Sequence, residues 1–286
     1  MHELRIATRR SRLALAQARW VAERLASAHP GLEIRLVEIT TTGDTDRTTP
    51  VFELTEVGAF VRAVQRAVLE DRADVAVHSC KDLPVIGPES LRSAYPRREV
   101  PWDLLCGTTL AELPEGARVG TGSPRRSAQL LELRPDVEVR GIRGNVETRL
   151  GMVESGEVDA VVLAEAGLRR LGIDGGISQR FTLEQMVPAA GQAALAVEGV
   201  ADSDAMRLVD AIADPETTEA VHAERTVLAR TGAGCRAALG VLAHRIGGEM
   251  ALVGFVHDQR GARRATARAE NAVAAVESLV ASLEVA

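Results

Sequence analysis

The stretch DVAVHSCKDLP, Asp74–Pro84, decides the fold, because in it an apolar run passes directly into a polar turn. A short apolar run bounded by charged residues is typical of a buried strand, here Asp74–Ser79. In α/β proteins the loops that follow buried strands are the usual location of ligand-binding residues. Ser79, Lys81 and Asp82 are therefore candidate functional residues. The alternative is a solvated loop with a surface Lys–Asp pair.

Strand and helix patterns alternate on both sides of this strand. Upstream, strands are predicted at Leu4–Thr8 and Leu32–Ile39, with one helix after the capping residue Ser11 and another from about Ala59. A second series of the same kind starts near Pro101. Its predicted strands lie in DLLCG, RVGTGS, VEVRGI and DAVVLA, and its helices at about 124–133 and 146–155. This alternation predicts two α/β lobes with mainly parallel sheets and a ligand-binding cleft between them.

The pattern changes from about Asp214. A long helix is predicted at Pro215–Arg230, followed by the loop GAGC, strand-like runs at 240–245 and 249–257, and a terminal helix from about Glu270. We therefore predict an α/β fold of two lobes plus a small α+β C-terminal domain. The Pro and Gly residues of VPAAGQAALAVE, Val187–Glu198, predict a crossover back to the first lobe. The expected domains are 1–97 with 191–212, then 98–190, and finally 213–286.

The bulk composition excludes several classes of protein. Hydrophobic residues make up 46% and charged residues 26% of the 286 residues, which is ordinary for a globular protein. A net charge of −6 argues against a nucleic-acid partner. No apolar run is long enough to cross a membrane, and the charged N-terminus lacks the features of a secretory signal. The scattered cysteines Cys80, Cys106 and Cys235 suit neither disulfides nor a zinc site, so we expect a cytoplasmic protein without a metal or a membrane partner.

Arginines are concentrated after the predicted strands. In GTGSPRRS, Gly120–Ser127, a glycine-rich turn precedes a proline at a first helical position, which directs backbone N–H groups toward an anion. The arginines of interest are Arg9, Arg125, Arg126, Arg143, Arg149 and Arg170. Each alone is more typical of a surface charge, but together they predict a partner with several carboxylates or phosphates. Because no GxxxxGK[ST] motif is present, we favour carboxylates.

Two further residues are unusual in their setting. Lys81 is the only lysine beside 33 arginines, so either a compact ammonium is needed next to Asp82 or this lysine survived by chance. Cys235 lies in a loop of small residues, RTGAGC, where the sequence supports a reactive thiol and an inert one equally.

In these motifs the chain resembles the porphobilinogen deaminase (hydroxymethylbilane synthase) family over essentially its whole length. The resemblance is carried by RIATRRSRLAL, RADVAVHSCKDLP, VGTGSPRRSAQL, RGNVETRL, DAVVLAEAGLRRLG, PAAGQ and GAGC. It implies a monomeric transferase of tetrapyrrole and heme biosynthesis with two periplasmic-binding-protein-like (type II) lobes. The small-molecule substrate would be porphobilinogen. Four units would be joined head to tail on a dipyrromethane cofactor with loss of ammonia, before water releases hydroxymethylbilane.

The resemblance also implies roles for individual residues. Cys235, in the third domain, would hold the dipyrromethane through a thioether. Asp82 would bind pyrrole N–H groups and stabilise the cationic azafulvene as ammonia leaves. The implied cofactor-binding residues are Ser79, Lys81, Asp82, Thr121, Ser123, Arg125, Arg126, Gly144 and Arg149. The implied substrate-binding residues are Arg9, Ser11, Arg143, Arg149, Arg170 and Gln192.

The chain departs from the family pattern at several positions. Val57 stands where a lysine is usual, Ala193 replaces the second glycine of GQGA, and Arg236 follows Cys235 where a proline is common. These departures bear on lid closure and rate rather than on reaction type. The rival hypotheses are a non-catalytic anion receptor of the same architecture and a relative that binds the product without making it. We favour the enzyme because the acid and the thiol have no role in a plain anion receptor.

Overall fold

The computed structural model describes residues 1–40, 59–232 and 238–284, so the predictions on Val57, Cys235 and Arg236 lie outside the described residues. The chain divides into two compact units. The first comprises Met1–Glu99 and Ala193–Glu219, and the second comprises Val100–Gln192 and Ala220–Ala286. The predicted division into three domains stays a prediction. Among the described helices, none combines the length and the apolar character needed to pass through a bilayer.

Strands and helices alternate along most of the chain. The strands are β1 (Glu3–Arg9), β2 (Glu33–Ile39), β3 (Val75–Ser79), β4 (Leu91–Ala94), β5 (Asp103–Cys106), β6 (Arg118–Gly120), β7 (Glu138–Arg140), β8 (Ala160–Ala164), β9 (Ile177–Arg180), β10 (Leu195–Val200), β11 (Ala238–Ile246), β12 (Glu249–Asp258) and β13 (Gly261–Ala269). The α-helices are α1 (Arg12–Ala28), α2 (Ala59–Leu69), α3 (Pro124–Leu133), α4 (Val146–Glu154), α5 (Glu165–Leu171), α6 (Asp204–Val209), α7 (Pro215–Arg230) and α8 (Ala272–Leu283). Short 3-10 turns lie at Cys80–Asp82 and Asp210–Ile212.

Each lobe contains a five-stranded sheet, and the two sheets repeat one arrangement. The first has the order β2-β1-β3-β10-β4, with β1 parallel to β2 and β3, and β10 antiparallel to β3 and β4. The second has the order β7-β6-β8-β5-β9, with β6 parallel to β7 and β8, and β5 antiparallel to β8 and β9. The prediction of mainly parallel sheets is therefore wrong. Both β5 and β10 lie outside the βαβ series of their own lobe, so the local alternation does not reveal their direction.

The C-terminal strands β11, β12 and β13 form an antiparallel sheet, and α8 packs on it with α7 to enclose an apolar core. The sequence did not predict β13, because GARRATARA places arginines and small residues where an apolar alternation would mark a strand. The predicted fold class, two α/β lobes with a small α+β C-terminal domain, is confirmed.

The core of the first lobe fixes the strand that precedes the candidate acid. Ala18, Val21 and Leu25 on one face of α1 are fully buried, and they belong to the same apolar cluster as Ile6 and Val75 of the sheet. Burying a valine or leucine side chain stabilises a fold by about 1.5–3 kcal/mol. Packing against α1 thus fixes the position of β3, the strand that precedes Asp82.

An arginine–aspartate pair occupies the equivalent position in each lobe. The Arg5 backbone N–H donates to Asp74 Oδ2 (2.6 Å), and its guanidinium donates to both carboxylate oxygens (3.1 and 2.8 Å). The Arg118 N–H donates to Asp159 Oδ2 (2.7 Å), and its guanidinium repeats the two contacts (3.2 and 2.9 Å). Each aspartate N–H donates back to the carbonyl of its arginine. Because these pairs are equivalent, β3 and β8 can be compared residue by residue.

Candidate active site

Asp82 lies in the turn that directly follows β3. β3 ends at Ser79, and Cys80–Asp82 forms a single 3-10 turn that the Leu83 N–H closes by donating to the Cys80 carbonyl (3.1 Å). Cys80 is buried, Lys81 is half-buried and Asp82 is exposed. The Asp82 carboxylate makes no hydrogen bond or ion pair with the residues that the structure describes. Its oxygens are available to a ligand.

Hydroxyl groups of the first lobe serve local structure at the same edge of the sheet. The Gln17 side-chain amide donates to Ser79 Oγ (2.9 Å), and Ser11 caps α1 by accepting a hydrogen bond from the Ala14 N–H (3.3 Å). Because β1 runs parallel to β3, the half-buried Arg9 at the carboxyl end of β1 lies on the same side of the sheet as the carboxyl end of β3. The structure thus places the first-lobe candidates at the carboxyl ends of β1 and β3: Arg9, Ser11, Ser79, Lys81 and Asp82.

The glycine-rich segment of the second lobe forms the expected helix start. Ser123 caps α3 by accepting from the Arg126 N–H (3.4 Å), and Pro124 occupies the first turn. Thr121 is 2% exposed, and its Oγ1 accepts from the Ser123 N–H (3.2 Å). Both predicted hydroxyls therefore hold the turn in this structure, and their contact with a ligand stays a prediction.

Arg125 and Arg126 are buried around Asp103, at the start of β5. Arg125 Nη1 donates to Asp103 Oδ2 (2.8 Å) and to the Val187 carbonyl (2.7 Å). Arg126 donates to Asp103 Oδ1 from Nε (3.0 Å) and Nη2 (2.7 Å), and to the Val162 carbonyl from Nη1 (2.8 Å). Burial lowers the pKa of the Arg125 guanidinium, an effect that Asp103 opposes and Arg126 reinforces. The sequence predicted both arginines as open to a ligand, whereas here they hold an internal carboxylate.

Gln192 belongs to the same cluster. Its side-chain amide donates to the Pro101 carbonyl (2.7 Å) and to Asp103 Oδ1 (3.1 Å), and the residue is 1% exposed. The next residue, Ala193, has a φ of 69°, a left-handed conformation that favours glycine. The departure from GQGA thus places an alanine in a conformation that costs an L-residue about 1–2 kcal/mol.

The segment RGNVETRL forms a turn and then α4. Gly144 has a φ of 107°, and a Cβ there would lie 2.8 Å from Thr148 Cγ2, so this position requires glycine. Asn145 caps α4 by accepting from the Thr148 N–H (2.8 Å), while Arg149 Nε donates to the Gly144 carbonyl (3.0 Å). Arg149 and Arg143 are half-buried. The hydrogen bond to the Gly144 carbonyl therefore fixes the orientation of the Arg149 guanidinium.

The remaining candidates among the described residues are Arg170 and two cysteines. Arg170 is half-buried in α5, which starts directly after β8. Cys80 and Cys106 are buried, and burial raises the pKa of the Cys106 thiol to about 11, which keeps it protonated at neutral pH. Asp103 was missed by the sequence analysis. The signal was an acidic residue at the start of the apolar run DLLC, which needs a buried partner.

Comparisons with known proteins agree with the motifs. The family model for porphobilinogen deaminase, dipyromethane cofactor binding domain, matches residues 4–208. The porphobilinogen deaminase of Roseiflexus sp. (strain RS-1) is 46% identical over 90% of this chain and 86% of that protein. That of Roseiflexus castenholzii is 44% identical over 89% of this chain and 86% of that protein. A solved nutrient binding protein from Burkholderia cenocepacia is 14% identical, with a TM-score of 0.45 over 76% of this chain and 94% of that one. The chain belongs to the porphobilinogen deaminase family.

Proposed function

We propose that this chain is a hydroxymethylbilane synthase. It joins four porphobilinogen molecules head to tail, and each new carbon–carbon bond releases one ammonia from an aminomethyl group. Water then releases the linear tetrapyrrole, so four porphobilinogen and one water give one hydroxymethylbilane and four ammonia. Membership of the family supports this reaction.

The setting of Asp82 carries the proposal. Its carboxylate is exposed, has no partner among the described residues, and follows a strand whose other residues are packed in a core. An exposed carboxylate without a partner contributes little to the stability of the fold, and its place directly after a buried strand is typical of a functional group. In the proposed reaction Asp82 accepts hydrogen bonds from pyrrole N–H groups. It also offsets the positive charge that develops on the substrate as the C–N bond breaks.

The second lobe fits a cofactor that bears carboxylates. Arg125 Nε is buried and donates to none of the described residues, so it lacks the acceptor that a buried donor normally has. A ligand carboxylate would supply that acceptor. When bound, the dipyrromethane supplies the pyrrole carbon to which the first substrate is joined. The residues proposed to hold it are Ser79, Lys81, Asp82, Thr121, Ser123, Arg125, Arg126, Gly144 and Arg149, with Cys235 as its thioether anchor.

The remaining candidates are assigned to the substrate. Arg9, Arg143, Arg149 and Arg170 would bind the acetate and propionate groups of porphobilinogen and of the growing chain, with Ser11 and Gln192 as polar contacts. We further propose a cytoplasmic monomer that serves heme biosynthesis. The odd, scattered cysteines support the reducing compartment.

Product formation by the purified protein tests the reaction. Incubated with porphobilinogen, the protein should release one ammonia for each molecule consumed and form a linear tetrapyrrole that mass spectrometry identifies. Binding of porphobilinogen without its consumption would contradict the proposal and favour the non-catalytic receptor.

A further inference from the structure

Asp103 is a buried carboxylate in contact with three of the candidate residues. It is 1% exposed and lies at the first position of β5, opposite Ala164 in the register with β8. Its Oδ1 accepts hydrogen bonds from Arg126 and Gln192, and its Oδ2 accepts one from Arg125. One carboxylate therefore organises three side chains that the family resemblance assigns to ligand binding.

The two arginines of this cluster differ in which donors they have left. All three nitrogens of Arg126 donate to Asp103 or to the Val162 carbonyl. Among the described residues, Arg125 is engaged only through Nη1, whose two hydrogens are used by Asp103 and the Val187 carbonyl. Arg125 Nε and Nη2 donate to none of the described residues, so one complete edge of this guanidinium is open. That edge is the two-donor fork that binds a carboxylate in bidentate fashion.

The equivalent position in the first lobe shows that the fold does not need an acid here. Leu195 pairs with Ser79 in that lobe as Asp103 pairs with Ala164 in this one, and Leu195 is 3% exposed. A buried leucine thus fills the same position of the same sheet arrangement. Burying a carboxylate instead requires compensating partners, which Arg125 and Arg126 provide. The arginine pair and Asp103 together carry two positive charges and one negative charge. A carboxylate of a ligand would balance the second positive charge.

We propose that Asp103 is a positioning residue that holds Arg125 by Nη1 and thereby directs its open Nε–Nη2 edge toward a carboxylate of the bound dipyrromethane. Asp103 does not touch the ligand in this arrangement and acts through Arg125. This inference rests on the proposed function, because it assigns the ligand of Arg125 to the cofactor.

The test measures how readily apo-protein acquires its covalent adduct. Protein expressed without porphobilinogen is incubated with graded porphobilinogen concentrations, and intact-mass spectrometry gives the fraction that carries the adduct. Asp103→Asn should raise the concentration for half-filling by about tenfold or more, because Arg125 loses a charge-assisted hydrogen bond. In an Arg125→Lys background, the same substitution should have a clearly smaller effect, since Asp103 acts mainly through Arg125.

A matched control separates positioning from general destabilisation. Asp159→Asn removes the carboxylate of another arginine pair in the same lobe, with Arg118, and should leave half-filling unchanged. If Asp103→Asn does not fold, as judged by circular dichroism, Asp103→Glu replaces it; this variant keeps the charge but displaces the carboxylate from Arg125, and it should also raise the concentration for half-filling. A folded variant that fills at the parental concentration, or an equal effect of Asp103→Asn in both backgrounds, would overturn the inference. Failure of the parent protein to fill would instead overturn the proposed function.

Discussion

In the first lobe the buried strand Val75–Ser79 continues into Asp82, whereas the equivalent strand of the second lobe, Ala160–Ala164, continues into Gly167. The correspondence follows from the shared Arg5–Asp74 and Arg118–Asp159 pairs. Both lobes also share the order and direction of their strands and a serine cap on the helix after the first strand. The lobes therefore agree in framework and differ at the positions where a ligand would bind.

The difference extends beneath the site. Six residues after each capping serine, α1 carries Gln17 and α3 carries Gln129. Gln17 bonds the Ser79 side chain, whereas Gln129 bonds both the N–H and the carbonyl of Val187. The first lobe thus presents Asp82 on the turn after Ser79, which Gln17 contacts, whereas the second presents Arg125 and Arg126 on α3, whose Gln129 holds the backbone of Val187. One framework thus carries an exposed acid in one lobe and a buried arginine pair in the other, which fits the different roles that we propose for them.

The largest expected effect lies at the acid that only the first lobe has. Asp82→Asn should lower kcat by about 100- to 1,000-fold, because the charge that offsets the developing cation is lost. Its free energy of unfolding should change by less than about 0.5 kcal/mol, since the side chain is exposed and has no partner among the described residues. Steady-state kinetics and urea unfolding measure the two quantities.

The matched control for Asp82 is Glu89→Gln, which neutralises another exposed carboxylate of the same lobe. It should keep parental kcat. Full activity in Asp82→Asn would show that the acid of the reaction is a different residue.

We expect a smaller effect, on the free energy of unfolding, when Gln17 and Gln129 are replaced. Gln129→Ala leaves the buried N–H of Val187 without its acceptor, so we expect a loss of about 2–3 kcal/mol in unfolding free energy. Gln17→Ala should cost only about 1 kcal/mol, because Ser79 is half-buried and water can replace the amide. Equal losses of unfolding free energy in urea would show that Gln129 holds Val187 no more firmly than Gln17 holds Ser79.

The smallest effect concerns the framework that the lobes share. The hydrogen bond from the Arg118 guanidinium lowers the pKa of Asp159 below its ordinary value of 3.8. A carboxylate with a lowered folded-state pKa stabilises the fold above its unfolded pKa, and this contribution is lost as the pH falls through the folded value. The difference in thermal unfolding midpoint between the parent and Asp159→Asn should therefore be present at neutral pH and shrink below about pH 4. A difference that is constant with pH would contradict the assigned pair.

Local patterns predicted much of the framework. Apolar spacing, Ser123 and Pro124 predicted α3 with its observed bounds, and α7 likewise matched. The short edge strands β4 and β9 have no apolar alternation of their own, and pairing alone makes them strands. The cluster at Asp103 was out of reach for another reason. Its partners Arg126 and Gln192 lie 23 and 89 residues away, and only the folded sheet brings them together.

The motifs predict the candidate residues as a set but do not predict their individual geometry. The motifs pointed to Arg125 and Arg126 as a matched pair. Residue spacing cannot show that Arg125 has a buried Nε without an acceptor while Arg126 donates from all three nitrogens, because this depends on side-chain rotamers and buried partners.

The intact mass of the protein, after expression with porphobilinogen available, decides whether the chain carries the proposed cofactor. We predict a covalent addition equal to a dipyrromethane on the parent chain, located at Cys235 by peptide mapping, and its absence in Cys235→Ser. A parent chain with the mass of the bare polypeptide, or an addition that persists in Cys235→Ser, would contradict the account.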